Sequence, residues 1–303
     1  MRFSIATGLS LLIATSPSLA AAPTAAQKLA QDAIIVDTHI DAPSELLKHW
    51  DDLGVASGKE FDYPKARQGG LDVAFMSIYT SPDEDAEGKA WQIANTQIDA
   101  VEAMVGRHPE KFAVLRSPGD LERLRAGGRV TLALGMENGA PIGDDLAKVA
   151  QFHARGVRYI TLAHSANNRI SDSSYTVQKQ WGGLSPFGEK VVAEMNRVGI
   201  MVDVSHLSDD AVRDVLRITD VPVVASHSSM RHFTPGFERN ISDELARAVA
   251  AEGGVVQLAF GTAFVSPKAA ADLQAFFAAE AEFDRANTGA APAGKPTRSK
   301  DDF

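Results

Sequence analysis

The chain has 303 residues, 45% of them hydrophobic, and a formal net charge of -9, so it can bury a sizeable core and has no basic face for nucleic acid. It has no basic segment that would hold an anionic membrane either. The absence of cysteine excludes a disulfide framework, a lipoprotein anchor and thiolate metal ligands.

Residues 1–22 read as a signal peptide rather than as fold. Arg2 gives a short positive start, an apolar stretch follows over residues 5–14, and Ser18-Leu19-Ala20 offers a small-x-small cleavage site. The stretch is too short for a comfortable membrane span. The expected location is therefore outside the cytoplasm, periplasmic or secreted. Residues 23–288 are expected to form one barrel domain, and the Ala/Pro/Gly/Lys-rich 289–303 a flexible end.

Seven runs read as strands: 33–37, 71–79, 130–136, 157–163, 200–205, 221–226 and 254–260. They are almost continuously apolar, as parallel strands covered on both faces should be. Helix signals lie between them. Ser185-Pro186 opens a helix that Gly199 stops, and Ser208-Asp209-Asp210 opens another. Asp144-Asp145 and Ser242-Asp243-Glu244 open two more, ending near Gly156 and Gly253. The long connection 81–116 holds a helical stretch over 91–105, expected to contribute to the site from above. Residues 264–285 read as a single helix. This α/β alternation allows a (β/α)8 TIM-type barrel or a doubly wound sheet. No Gly-rich phosphate loop follows the first strand, which disfavours the doubly wound sheet. No eighth strand is found, so the barrel is expected to be incomplete.

Metal-type ligands sit at the strand exits. His39 and Asp41, two apart on an extended strand, point the same way and can close on one divalent cation. Glu137, His164, His206 and His227 each follow an apolar run. A barrel gathers such positions around one axis at its C-terminal face. His39 and Asp41 can then hold one metal, His206 and His227 a second, with Glu137 as the bridge. His164 is left to donate a hydrogen bond to an oxygen that becomes anionic during catalysis. Taken singly, a strand-end histidine is more often structural, and Glu137 alone could be a turn residue. His49, His108 and His153 fit loop or helix roles, while His232 lies close enough in sequence to approach a substrate. Serine catalysis finds no support: Ser205-His206 and Ser226-His227 are strand neighbours facing opposite ways, and no Gly-x-Ser-x-Gly elbow occurs.

Six segments resemble the membrane (renal) dipeptidases, metallopeptidases of the amidohydrolase superfamily. They are Asp37-Thr38-His39-Ile40-Asp41, Gly135-Met136-Glu137-Asn138-Gly139, Arg158-Tyr159-Ile160-Thr161-Leu162-Ala163-His164-Ser165, Gly183-Leu184-Ser185-Pro186-Phe187-Gly188, Val202-Asp203-Val204-Ser205-His206 and Ser226-His227-Ser228-Ser229. The resemblance implies two Zn2+ ions in a (β/α)8 barrel and hydrolysis of dipeptides by a hydroxide bridging the metals. Carried over, the ligands are His39, Asp41, Glu137, His206 and His227. His164 contacts the scissile carbonyl, and Arg239 binds the terminal carboxylate of the dipeptide. A guanidinium fork suits that task because it can pair both oxygens.

The family continues for roughly another strand and helix set, carrying an aspartate in a Gly-Ser-Asp-Phe-Asp-Gly-like segment that handles the proton of the attacking water. Nothing here matches it; Asp284 and Asp301-Asp302 have a different context. The chain is thus expected to be a fragment or a truncated paralogue. Three readings follow: an exported zinc dipeptidase, a remnant that binds metal or substrate with little turnover, or an amidohydrolase of N-acyl amino acids. A homodimer is left open.

Overall fold

The computed structural model describes residues 23–287 of the chain. The leader expected at 1–22 and the flexible end expected at 289–303 lie outside the described residues.

Eight parallel strands form one sheet: β1 Ile35–Ile40, β2 Leu71–Tyr79, β3 Phe112–Val114, β4 Val130–Glu137, β5 Val157–Thr161, β6 Met201–Asp203, β7 Val224–Ser228 and β8 Val255–Leu258. Seven are the staves of a TIM-type barrel, in the order β1-β2-β4-β5-β6-β7-β8. The strand that sequence periodicity does not reveal is β3. It pairs with the first part of β4 (Phe112↔Val130 to Val114↔Leu132), while β5 pairs with the last part, from Leu134 onward. It does not occupy the missing eighth position, and among the described residues no strand joins β1 to β8.

The barrel is therefore nearly closed, with one seam unsealed. Along the seam, Val36 on β1 and Val255 and Leu258 on β8 are exposed, whereas every residue of β4, opposite, is buried. At the C-terminal end of the strands the gap narrows, because the Thr38 hydroxyl donates to the Ser226 carbonyl on β7 at 2.5 Å. At the other end Asp72 ties β1 to β2, accepting from the Ile35 N–H at 3.0 Å and from Arg125 Nε at 2.9 Å.

The outer layer is helical. The helices among the described residues are α1 Ala25–Asp32, α2 Ala42–Lys48, α3 Tyr63–Gly69, α4 Pro82–Ala86, α5 Ala90–Arg107, α6 Leu121–Ala126, α7 Ala147–Arg155, α8 Pro186–Val198, α9 Asp209–Ile218, α10 Asp243–Ala251, α11 Thr262–Val265 and α12 Pro267–Asn287. The caps behave as the sequence predicts. Ser185, Ser208 and Ser242 each accept a backbone N–H of the first turn of α8, α9 and α10. Gly156 and Gly199 close α7 and α8 in the left-handed conformation.

Two expectations change. The helix in 81–116, α5, packs in the outer layer against α2 and β2 rather than roofing the site; Gln97 braces it there by bonding both backbone groups of Tyr79. The stretch 264–285 is two helices, because Pro267 cannot continue α11 and instead starts α12 after Ser266.

One interior contact bears directly on the site. The Tyr159 ring, 1% exposed, crosses the barrel from β5 over Gly135 of β4 to reach β1. A methyl at Gly135 would lie 2.0 Å from Tyr159 Cζ. Gly135→Ala is expected to cost about 1–3 kcal/mol by overpacking, read by urea unfolding. A variant as stable as the parent would contradict the close approach.

Candidate metal centre

Six side chains meet where the strands end. Glu137, the last residue of β4, is buried among imidazoles from three other strand exits and from β1. Its Oε1 lies 3.0 Å from His206 Nε2, 3.1 Å from His227 Nε2 and 3.4 Å from His164 Nε2. Its Oε2 lies 3.4 Å from His39 Nε2 and accepts the Ser77 hydroxyl at 3.2 Å. Asp41, at the mouth, sits 3.3 Å from His39 Nε2. The His39 and His227 rings stack with centroids 3.6 Å apart. His206 has φ +69°, a left-handed backbone that a non-glycine residue adopts at a cost and that turns its ring inward.

Four sequence-predicted ligands, His39, Glu137, His206 and His227, thus join one cluster; Asp41 reaches it only through His39, and His164 joins it too, closer than its sequence position suggested. Two groups of donors can each hold a metal ion, His39–Glu137–His227 and Glu137–His164–His206, and Glu137 is common to both. Arg239 is buried beside them. Its Nη2 donates to the His227 carbonyl at 2.7 Å and its Nη1 to Ser228 Oγ at 2.9 Å, its guanidinium lies 5.0 Å from the Phe264 ring centroid, and its Nε has no partner. His232 is not in the cluster; it is exposed on the turn Arg231–Phe233 and lines a separate depression with Arg247. A cleft of about 700 Å³ opens beside His39 and Asp41, between β1, α2 and α3.

The electrostatics fit a cation. Burial opposes ionisation of Glu137, but the His39 charge and the close imidazoles of His206 and His227 hold its carboxyl well below the usual range. Burial also opposes charge on His39, yet Glu137 and then Asp41 push its pKa up to about 10. Burial, with Arg239 and His164 nearby, pushes His206 well below the ordinary imidazole range. Burial and the charges of His39 and Arg239 bring His227 to about 4. Burial lowers His164 as well. The result is one carboxylate facing three neutral imidazoles and one proton-bearing imidazole. The His206 and His227 Nε2 atoms are 2.8 Å apart. Nitrogen and oxygen donors converging in this way are the set that Zn2+-type cations take.

Some residues around the centre carry no signal in the sequence alone. Asp172 collects the backbone N–H groups of Gln180, Trp181, Gly182 and Gly183 at 2.8–3.1 Å, folding the β5–α8 connection over the mouth. Gly182 and Gly183 supply the positive φ this loop needs. The loop lays Tyr175 against His206, ring centroids 5.8 Å apart. Asp203 and Tyr159 lie beneath the ligands. A buried aspartate in the apolar run Ile200-Met201-Val202-Asp203-Val204 is the one hint that could have been read.

Comparison with known proteins places this geometry. The sequence model of the membrane dipeptidase family (peptidase family M19) matches residues 24–284. The dipeptidase AclJ of Aspergillus oryzae is 34% identical over 208 residues, 66% of this chain and 49% of that protein, so the chain spans about half the length of this curated relative. The structure of the probable dipeptidase PvdM from Pseudomonas aeruginosa superposes with a TM-score of 0.77 at 28% identity, over 86% of this chain and 68% of that one. A metallo peptidase from Rhodobacter sphaeroides, liganded with a phosphinate mimic of the dipeptide L-Ala-D-Ala, gives 0.69 at 26% identity, over 78% and 76% of the two chains.

The raised His39 pKa sets a sign for metal binding. Below pH about 10 the metal-free imidazole carries a proton that a cation must displace, so affinity should rise with pH and a proton should be released. The same shift stabilises the metal-free fold fully below pH about 6.5, and that contribution is lost as pH climbs toward 10. Calorimetric Zn2+ titration at pH 8 in two buffers of different ionisation enthalpy should show this release; equal heats would contradict it.

Proposed function

Because this chain belongs to the membrane dipeptidase family, peptidase family M19, we propose that it is a zinc-dependent dipeptidase with a binuclear centre. The observation that carries the reading is Glu137, whose two oxygens face imidazoles on both sides inside the mouth of a barrel. In this reading His39 and Asp41 hold one Zn2+, His206 and His227 the other, and Glu137 bridges. Two such cations, when bound, polarise a carbonyl and lower the pKa of a water to roughly 7. The dipeptide-mimic ligand of the Rhodobacter sphaeroides peptidase supports the substrate class.

The remaining work falls to the chain's own residues. His164, neutral at physiological pH, has its Nε2 turned toward the cluster. There it can donate to the carbonyl oxygen as negative charge develops, which stabilises the transition state without reorganisation. Burial lowers the Arg239 pKa, but a guanidinium stays protonated in proteins, and its unpartnered Nε–H is available to the substrate carboxylate. Tyr79 lies edge-on to His164, ring centroids 4.8 Å apart, and limits how that ring can turn. Export to the periplasm, read from residues 1–22, completes the proposal and rests on sequence composition alone.

The test is hydrolysis of a dipeptide panel by the zinc-loaded chain. Turnover that a chelator removes is expected; two bound zinc ions with no turnover of any dipeptide would contradict the reading and favour a binding remnant. His164→Ala should lower kcat about 10²–10³-fold while zinc content stays unchanged. Arg239→Met should act mainly on kcat/KM, with a smaller penalty for substrates lacking a free carboxylate. Equal penalties for both substrate types would remove Arg239 from the carboxylate role.

A further inference from the structure

Two of the four clustered imidazoles are held from behind by a hydroxyl, and the polarity of those bonds can be deduced. Asp203, fully buried at the end of β6, accepts four hydrogen bonds. They come from the backbone N–H groups of Ser205 at 3.0 Å and Ser226 at 2.9 Å, and from the hydroxyls of Thr161 at 2.5 Å and Ser226 at 2.6 Å. The single hydroxyl proton of Ser226 is thereby committed to Asp203. Ser226 Oγ also lies 2.8 Å from His227 Nδ1, so at that contact it must accept. His227 therefore carries its proton on Nδ1 and presents the Nε2 lone pair to the centre.

The same logic holds on the other side. The Tyr159 hydroxyl donates to the Thr38 carbonyl at 2.9 Å and lies 3.2 Å from His39 Nδ1, where it too must accept. His39 is thus fixed with a proton on Nδ1 and Nε2 facing Glu137. The other two imidazoles differ, since the Nδ1 atoms of His164 and His206 are buried without a hydrogen-bond partner.

We infer that Asp203–Ser226 and Tyr159 are positioning residues that lock His227 and His39 in the tautomer that ligates through Nε2. An outer hydrogen bond of this kind orients a histidine ligand and raises its basicity; its loss typically lowers metal affinity about 10–100-fold. Gly135 and Ser226 are the sequence features that permit it, one by admitting the Tyr159 ring and the other by placing a hydroxyl beside its neighbouring imidazole. This deepens the proposed metal centre and rests on it.

The experiment is a Co2+ titration of the metal-stripped full chain, followed by visible absorption, for the parent and for Ser226→Ala, Tyr159→Phe, Ser226→Thr and Thr131→Val. Ser226→Ala and Tyr159→Phe should each lose about 10–100-fold in affinity for one bound ion. Ser226→Thr, which keeps the hydroxyl, should bind like the parent. Thr131→Val removes an equally buried hydroxyl, one that bonds the Asp72 carbonyl outside the cluster, and should also bind like the parent. Parent-like binding by both hydroxyl deletions would overturn the inference, as would equal weakening by Thr131→Val. A parent that binds no Co2+ would instead sink the metal centre itself. Histidine side-chain 15N NMR of the zinc-loaded parent gives a check free of variants. Protonated Nδ1 at His39 and His227 is expected, and ligation through Nδ1 at either would overturn the assignment.

Discussion

The structure depends on a buried carboxylate that four imidazoles surround. Glu137 ends a strand buried along its whole length, so its side chain cannot escape to solvent. A lone buried carboxylate would cost several kcal/mol. Here the cost is offset first by the proton on His39 and then by a hydrogen bond from His206. Glu137 raises His39, while burial and then the positive groups around them, Arg239 included, keep His206 and His227 neutral. One carboxylate therefore organises both the charge and the donor set of the centre.

The barrel supplies the convergence that sequence spacing lacks. The ligands come from β1, β4 and the ends of β5, β6 and β7, which are neighbours around one axis. Beneath them lies a polar layer: Ser77, Tyr159, Thr161, Asp203 and Ser226 sit in an interior otherwise built of Val, Ile, Leu and Met. Each makes a hydrogen bond, and two reach the back of a ligand ring. The seam between β1 and β8 lies on the same side of the barrel as His39. Thr38 spans it at the top, so the centre holds its geometry where the wall is thinnest.

Much of this was legible before any coordinates. Parallel barrel strands are apolar on both faces, so all seven staves stand out as runs, β1 with His39 and Asp41 at its exit. Serine caps marked α8, α9 and α10, and Gly199 marked the end of α8, because those signals are local. What escaped was short or tertiary. The three residues of β3 are too few for a period to show. The break at Pro267 was hidden by the Ala-rich helical composition that follows it. Asp203, Tyr159 and Asp172 act across strand or loop neighbours, and no spacing in one sequence reports which neighbours those are. The closeness of His164 to Glu137 belongs to the same class.

The most direct test of the central claim is crystallographic. Crystals of the zinc-loaded chain, measured on both sides of the zinc absorption edge, should show two anomalous peaks roughly 3.5–4 Å apart, one on each side of the Glu137 carboxylate. A single peak that Glu137 does not touch, or none, would contradict the account of Glu137 as the shared ligand on which the centre is built.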